Sequence, residues 1–296
     1  MSFISGCVPI GAKVLNIRRT LKSARSRCFI CYRNMAISFY KYQGTGNDFV
    51  MVDNRKLTFP AEDEALVRQL CDRRTGIGAD GLILLQYHPD YDFEMVYFNS
   101  DGRLGSMCGN GARCTVRFAR QLGVIEDVAC FLAADGEHQA SVERDLIQLK
   151  MNDVQGVEKI GEDYYLNTGS PHYIRFVGDV QHLDVYEEGR AIRYNDRFRA
   201  EGTNVNFVEL ISDNEIYVRT YERGVEDETL SCGTGVTAAA LVAGLRGLES
   251  PVKVKTLGGD LEVMFKPNET GGFKYIYLIG PAKQVFSGSF PLQQQV

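Results

Sequence analysis

The chain has 296 residues, 44% hydrophobic and 24% charged, a composition that excludes a disordered or fibrous protein and leaves room for two domains with a core each. Its net charge is −5, yet residues 1–34 carry Lys13, Arg18, Arg19, Lys22, Arg25, Arg27 and Arg33 and no acidic residue. The remaining body is therefore strongly acidic, which argues against a nucleic-acid partner, and no apolar run approaches the roughly 20 residues that cross a bilayer.

Residues 1–35 read as a basic leader, disordered or not native to the working protein. They lack the apolar segment and small-residue cleavage site of a secretory signal, and the first strand pattern begins only at Ile37. Eight cysteines in this length are too few for a secreted disulfide framework, so reduced thiols in a cytoplasmic setting are expected. Cys28-x-x-Cys31 has the spacing of half a metal or redox motif. It has no second pair or neighbouring His, and no metal is assigned to it.

After a strand from Ile37 comes Gly44-Thr-Gly-Asn-Asp-Phe, a glycine turn predicted to hold Asn47 and Asp48. Pro60, Glu62, Asp63 and Glu64 ahead of Leu66, Val67 and Leu70 predict a helix with Pro and acids in its first turn. Strands at Leu82–Gln86 and Phe93–Phe98 then deliver Asn99-Ser-Asp-Gly, followed by Cys108-Gly-Asn-Gly. Ala112, Val116, Ala119 and Leu122 recur at helical spacing up to a capping Gly123. Residues 125–151 read as strands with a turn at Gly136, and 150–153 as the crossing into a second domain.

The second half repeats the first. A strand over Glu215–Tyr221 delivers Glu222-Arg-Gly, then Cys232-Gly-Thr-Gly, then a helix apolar on every face from Val236 to Leu245. Such a helix must be buried. The expected fold is α+β: two pseudo-symmetric domains, each a mainly antiparallel curved sheet or barrel around a central helix, with the active site in the cleft between them. The N-terminal domain is placed at 36–152, joined by a C-terminal strand from 281–296, and the C-terminal domain at 153–280.

One Cys-Gly-x-Gly is an ordinary helix start, but two in matching strand-loop-helix contexts suggest chemistry. A thiol at a helix N-terminus lies near unpaired N–H groups and the positive end of the dipole, which predicts a pKa below the free value of about 8.5. The glycines let those N–H groups approach a carboxylate and the enolate-like charge that grows from it. Two such thiols, one removing an α-proton and the other returning one to the opposite face, would invert an amino acid without a cofactor. Two low-pKa thiols converging on one cleft are also expected to close into a disulfide when no substrate separates them.

Seven motifs in one order carry a resemblance: Gly44-Thr-Gly-Asn-Asp-Phe, Phe98-Asn-Ser-Asp-Gly, Cys108-Gly-Asn-Gly-Ala-Arg-Cys, Gly169-Ser-Pro-His, Gly202-Thr-Asn-Val-Asn-Phe, Tyr221-Glu-Arg-Gly and Cys232-Gly-Thr-Gly. From about Ile37 onward the chain resembles the diaminopimelate epimerase family. The resemblance implies a homodimeric enzyme of lysine and peptidoglycan precursor synthesis, without pyridoxal phosphate, metal or other cofactor. It implies that Cys108 and Cys232 are the acid/base pair interconverting LL- and meso-diaminopimelate. Backbone N–H groups of Gly109, Asn110, Gly233 and Thr234 would hold the reacting carboxylate, His172 and Glu222 would assist at the amino group, and Asn47, Asn99, Asn204 and Arg223 would read the distal end.

Gly81 and Ser170 depart from the family pattern, where some relatives carry Gln and Asn, and the loop from Glu222 to Cys232 is one residue longer. A rival reading is a proline or hydroxyproline racemase or epimerase of the same fold. Its first motif carries His at the position of Asn110, and its substrate lacks the second charged end that Asn47 and Arg223 suit. A thiol redox pair of Cys108 and Cys114 lacks redox-motif spacing.

Overall fold

The computed structural model describes residues 36–292; the basic leader and Cys28-x-x-Cys31 lie outside the described residues. The first half runs β1 (Ala36–Gly44), β2 (Asn47–Asp53), α1 (Glu64–Cys71), β3 (Gly81–Gln86), β4 (Phe93–Asn99), α2 (Gly109–Gln121), β5 (Val128–Ala133), β6 (Gly136–Glu143) and β7 (Leu146–Lys150). The second runs β8 (Glu158–Ile160), β9 (Asp163–Asn167), β10 (Pro171–Phe176), α3 (Val185–Arg193), β11 (Asn204–Ser212), β12 (Glu215–Glu222), β13 (Asp227–Thr229), α4 (Gly233–Leu245), β14 (Val252–Thr256), β15 (Gly259–Pro267), β16 (Phe273–Pro281) and β17 (Lys283–Pro291).

The halves share one pairing scheme. In the first, β1–β2 is antiparallel, β2–β3 parallel, β3–β4 antiparallel, β4–β5 parallel, and β5–β6 and β6–β7 antiparallel. In the second, β9–β10, β10–β11, β11–β12, β12–β14, β14–β15 and β15–β16 repeat that sequence of directions. A short helix crosses between the equivalent strand pairs, α1 in one half and α3 in the other, and α2 and α4 occupy matching places. The antiparallel pair β7–β16 joins the two sheets, and β17 returns to pair with β1.

Burial follows the sequence pattern. In α4 every residue from Val236 to Ala243 is buried, and this helix shares one core with the inner faces of the sheets and with Ala112, Val116, Phe118 and Ala119 of α2. The outer helices are amphipathic instead. Leu66, Val67 and Leu70 of α1 cover one flank of the first sheet, while Val185 and Ile192 of α3 cover the corresponding flank of the second.

Several boundaries differ from expectation. Asn47 and Asp48 open β2 and pair with Gly44 and Gln43; the turn itself is Thr45 and Gly46, with φ of 50° and 84°, the pair of positive values that a tight hairpin requires. Helix α1 starts at Glu64, not at Pro60, because the Asp63 carboxylate accepts from Leu66 N at 3.0 Å and sets the cap there. Helix α3 was not expected at all; its signal is Asp184, which accepts from Glu187 N at 3.1 Å, ahead of Val185 and Ile192.

Truncating the fully buried Leu241 to Ala should cost about 3 kcal/mol, against about 1 kcal/mol for Asp63→Ala at the edge of α1. Urea denaturation of the two variants checks the difference.

Candidate active site

Helices α2 and α4 meet end on. Cys108 is the N-cap of α2 and Cys232 the N-cap of α4, both in extended conformation with φ of −116° and −110°. The glycines that follow them are in contact: a Cβ built on Gly233 would lie 3.6 Å from Gly109 Cα and 3.1 Å from Leu278 Cδ2. A methyl group at either position would already touch the opposite helix end, so anything larger would have to push the ends apart. Close approach therefore brings two sets of unpaired N–H groups, and two sulfurs, to one place.

Asn110 ties the ends together. Its Nδ2 donates to Ser231 O at 3.0 Å across the contact and to Asn47 Oδ1 at 3.4 Å, while its Oδ1 accepts from Arg113 Nη2 at 3.0 Å. Asn47 touches Cys108: its Oδ1 accepts from Cys108 Sγ at 3.5 Å, and its Nδ2 donates to Asp80 Oδ2 at 2.6 Å, which fixes the amide orientation. Cys232 Sγ lies 3.5 Å from Thr234 Oγ1, and Thr234 O accepts from Thr168 Oγ1 at 2.9 Å.

His172 is fully buried on β10, its ring edge against the start of α4, where a Cβ on Gly235 would meet Cε1 at 3.3 Å. Asn206 Nδ2 donates to His172 Nδ1 at 3.1 Å and to Tyr173 O, while Asn206 Oδ1 accepts from Thr220 Oγ1. That network assigns the ring proton to Nε2. Burial, with Arg223 nearby, pushes the His172 pKa down to about 3, so the ring is neutral at physiological pH. Among the described residues, Nε2 has no partner, and neither does the buried Ser231 Oγ. A neutral Nε2–H is a donor and suits a substrate oxygen better than an ammonium.

Glu222 ends β12, where Oε2 accepts from Thr229 Oγ1 at 2.8 Å and burial raises the carboxyl pKa. Asn204 begins β11; its Oδ1 accepts from Arg223 N at 2.9 Å and its Nδ2 donates to Pro171 O. It therefore positions the backbone that carries the exposed Arg223, whose Nη1 donates to Glu201 O. Asn99 is exposed at the end of β4.

The predicted low thiol pKa is not what this site produces. Burial raises both sulfurs, Cys232 to about 12, and the nearby Glu222 raises them further. Hydrogen bonds from Asn110 and Gly111 N–H to Cys108, and from Thr234 and Gly235 to Cys232, act the other way but do not prevail. Removal of water outweighs the helix dipole because a thiolate loses its hydration in the cleft. Proximity to Cys108 also raises the pKa of Cys232, so the pair favours one thiolate at most. The ground given for ready disulfide closure, two ionised thiols, is correspondingly removed.

Sequence reading missed two groups here. Asn206 shares a strand face with Asn204, and its signal is a second amide at a core-facing position of an apolar strand. Arg113 is fully buried in the first turns of α2, where a helix dipole disfavours a cation. It donates to Thr45 Oγ1 and Asn110 Oδ1, each at 3.0 Å, and among the described residues it has no carboxylate partner. Its charge lowers the pKa of Cys108. No group of three His, Cys, Asp or Glu among the described residues is placed to hold a metal ion, and no helix there is long and apolar enough to cross a membrane.

A family model for diaminopimelate epimerase matches residues 39–156 and 164–285, nearly all of the described chain. The chain belongs to the diaminopimelate epimerase family. Among curated members, the diaminopimelate epimerase of Flavobacterium psychrophilum is 49% identical, over 84% of this chain and 98% of its own length. That of Aquifex aeolicus is 43% identical, over 85% and 97%. Solved structures extend the fold further. A PhzF-family phenazine biosynthesis protein of Bacillus anthracis has a TM-score of 0.67 at 15% identity, covering 88% of this chain and all of its own. A hydroxyproline epimerase of Agrobacterium vitis reaches 0.62, also at 15%, covering 88% and 94%. At such identity these share architecture only, and the α+β expectation of two repeated halves agrees with them.

Two outcomes follow from this epimerase-family site. In the free protein, iodoacetamide should alkylate Cys108 and Cys232 slowly at pH 7 and faster as pH rises, since a raised pKa delays the thiolate; peptide mass spectrometry resolves the two. Gly235→Ala would put a Cβ 2.3 Å from Asn206 Oδ1, displacing the partner that orients His172. A loss of at least about tenfold in kcat/KM is expected, of the size of one or more disrupted hydrogen bonds.

Proposed function

We propose that this chain interconverts LL- and meso-diaminopimelate by moving the α-proton through Cys108 and Cys232, with no pyridoxal phosphate or other cofactor. The observation that carries the reading is the abutment of two helix N-termini, each capped by a cysteine. Family membership supplies the substrate, and the cited relatives bear that one name. The rival proline or hydroxyproline reading has only remote structural neighbours behind it.

The chemistry follows from the surroundings of the sulfurs. The substrate carboxylate sits at the joined helix ends, where N–H groups of Gly109, Asn110, Gly233 and Thr234 and the dipoles favour negative charge. Its ammonium faces Glu222, and His172 Nε2–H donates to a carboxylate oxygen. The substrate ammonium and Arg113 favour a single thiolate among neutral groups. That thiolate takes the α-proton; the charge spreads into the carboxylate, where the same N–H groups hold it more strongly as it grows. The opposite thiol then protonates the other face, and the sulfurs exchange roles for the next turnover. Asn99 and Arg223 read the distal amino-acid end, with Asn204 holding the backbone of Arg223 in place for it, while Asn47, held by Asp80, keeps Cys108 aimed at the reacting carbon. A cytoplasmic homodimer, with domains divided near 152 and 280, belongs to the same reading.

Proton NMR in deuterium oxide tests it, with LL-diaminopimelate, a reductant and no added cofactor. The α-proton signal should disappear as the meso isomer forms. Cys232→Ser should lower kcat by about 10²- to 10⁴-fold, the range for loss of a positioned acid or base, while Cys114→Ala retains turnover. Equal tolerance of both substitutions, or exchange only with proline or hydroxyproline, would overturn the assignment.

A further inference from the structure

The equal pairing schemes align the two halves residue by residue. His172 pairs with Asn204, Asn206 with Thr220, and Asn204 stands two residues before Asn206. In the first half the corresponding pairs are Phe49 with Gly81 and Ile83 with Tyr97. Asn99, across from Gly81, takes the place of Glu222. At these positions the second half carries an imidazole, two amides and a hydroxyl. The first half carries at the matching positions a phenyl ring, no side chain, an alkyl chain and the phenol of Tyr97.

Tyr97 fills the space that its neighbours leave. A Cβ on Gly81 would lie 2.5 Å from Tyr97 Cε2, and a Cβ on Gly105 2.5 Å from Cδ1 and 2.6 Å from Cε1. The ring is held between these two glycines and packs edge to face on Phe49 at 6.0 Å. Asn99 Oδ1 lies 3.2 Å from the same Gly105 position, beside one edge of the ring, and the Tyr97 hydroxyl lies 3.1 Å from the Gly81 position, which pairs with Asn99 across the sheet. Among the described residues no atom hydrogen-bonds the half-buried Tyr97 hydroxyl.

On the reading of the site given above, we propose that the Tyr97 hydroxyl is a substrate contact, accepting a hydrogen bond from the distal ammonium of diaminopimelate beside Asn99. Burial keeps the phenol protonated, and Cys108, Asp80 and Glu222 all lie near enough to reinforce that. The carboxyl groups of Asp80 and Glu222 on the same side favour a cation as the ligand of its oxygen. Gly81, a departure from the family pattern, is the vacancy that admits the ring. Chain-specific recognition therefore passes from residue 81 to residue 97.

The test compares the wild type with Tyr97→Phe, which removes one oxygen from a ring that stays packed. KM for LL-diaminopimelate should rise at least about tenfold, as for a lost hydrogen bond to a charged group, with kcat within about threefold. The inhibition constant of 2-aminopimelate, which lacks the distal ammonium, should be unchanged. Gly105→Ala, which displaces the ring, should reproduce the KM effect. Unchanged KM in Tyr97→Phe, or equal loss for both ligands, overturns the inference while the enzyme's activity stands. An inactive wild type would instead remove the functional reading beneath it.

Discussion

The contact between Gly109 and Gly233 is the constraint on which the rest depends. Two helices can be brought this close tip to tip only where no bulky side chain intervenes, and each must be carried there by a sheet that encloses it. Enclosure explains why α4 is apolar on every face and why α2 presents Ala, Val and Phe to its surroundings. It also explains why the cysteines occupy the caps, since the N-cap is the last position before the glycines and the first from which a side chain can reach around the junction.

That placement sets two electrostatic effects against each other. The helix ends and Arg113 favour a thiolate, while loss of water disfavours it, and loss of water prevails. The site is therefore built for a neutral pair from which one proton is withdrawn when the substrate brings its own charges. Arg113 fits this arrangement because it is a fixed positive charge with neutral acceptors around it. A carboxylate partner would have cancelled the field that Cys108 senses.

Much of this was legible in the sequence, for local reasons. The repeated Cys-Gly-x-Gly, the all-apolar run after Cys232 and the glycine turn at residues 44–46 are each written in a few adjacent residues. The thiol pKa was not legible, because the dipole follows from the motif whereas the extent of burial depends on both sheets closing around it. Asn206 and Arg113 were hidden for a similar reason: their meaning lies in partners 34 and 68 positions away, His172 and Thr45. Tyr97 is in sequence only one of several aromatics in its strand; its placement depends on the space left by Gly81 and Gly105, the latter outside the strand.

The identical order of parallel and antiparallel pairings in the two halves has a consequence for the history of such a chain. A polypeptide of half this length, meeting a copy of itself across a β7–β16-like seam, would place two equivalent thiols about a two-fold axis and could treat both ends of a substrate only alike. Covalent fusion releases each copy to mutate alone. At matching strand positions one side carries an imidazole and two amides, while the other carries a phenyl ring, a glycine and a phenol. Broken symmetry of this kind lets one amino-acid end be held while the other is inverted.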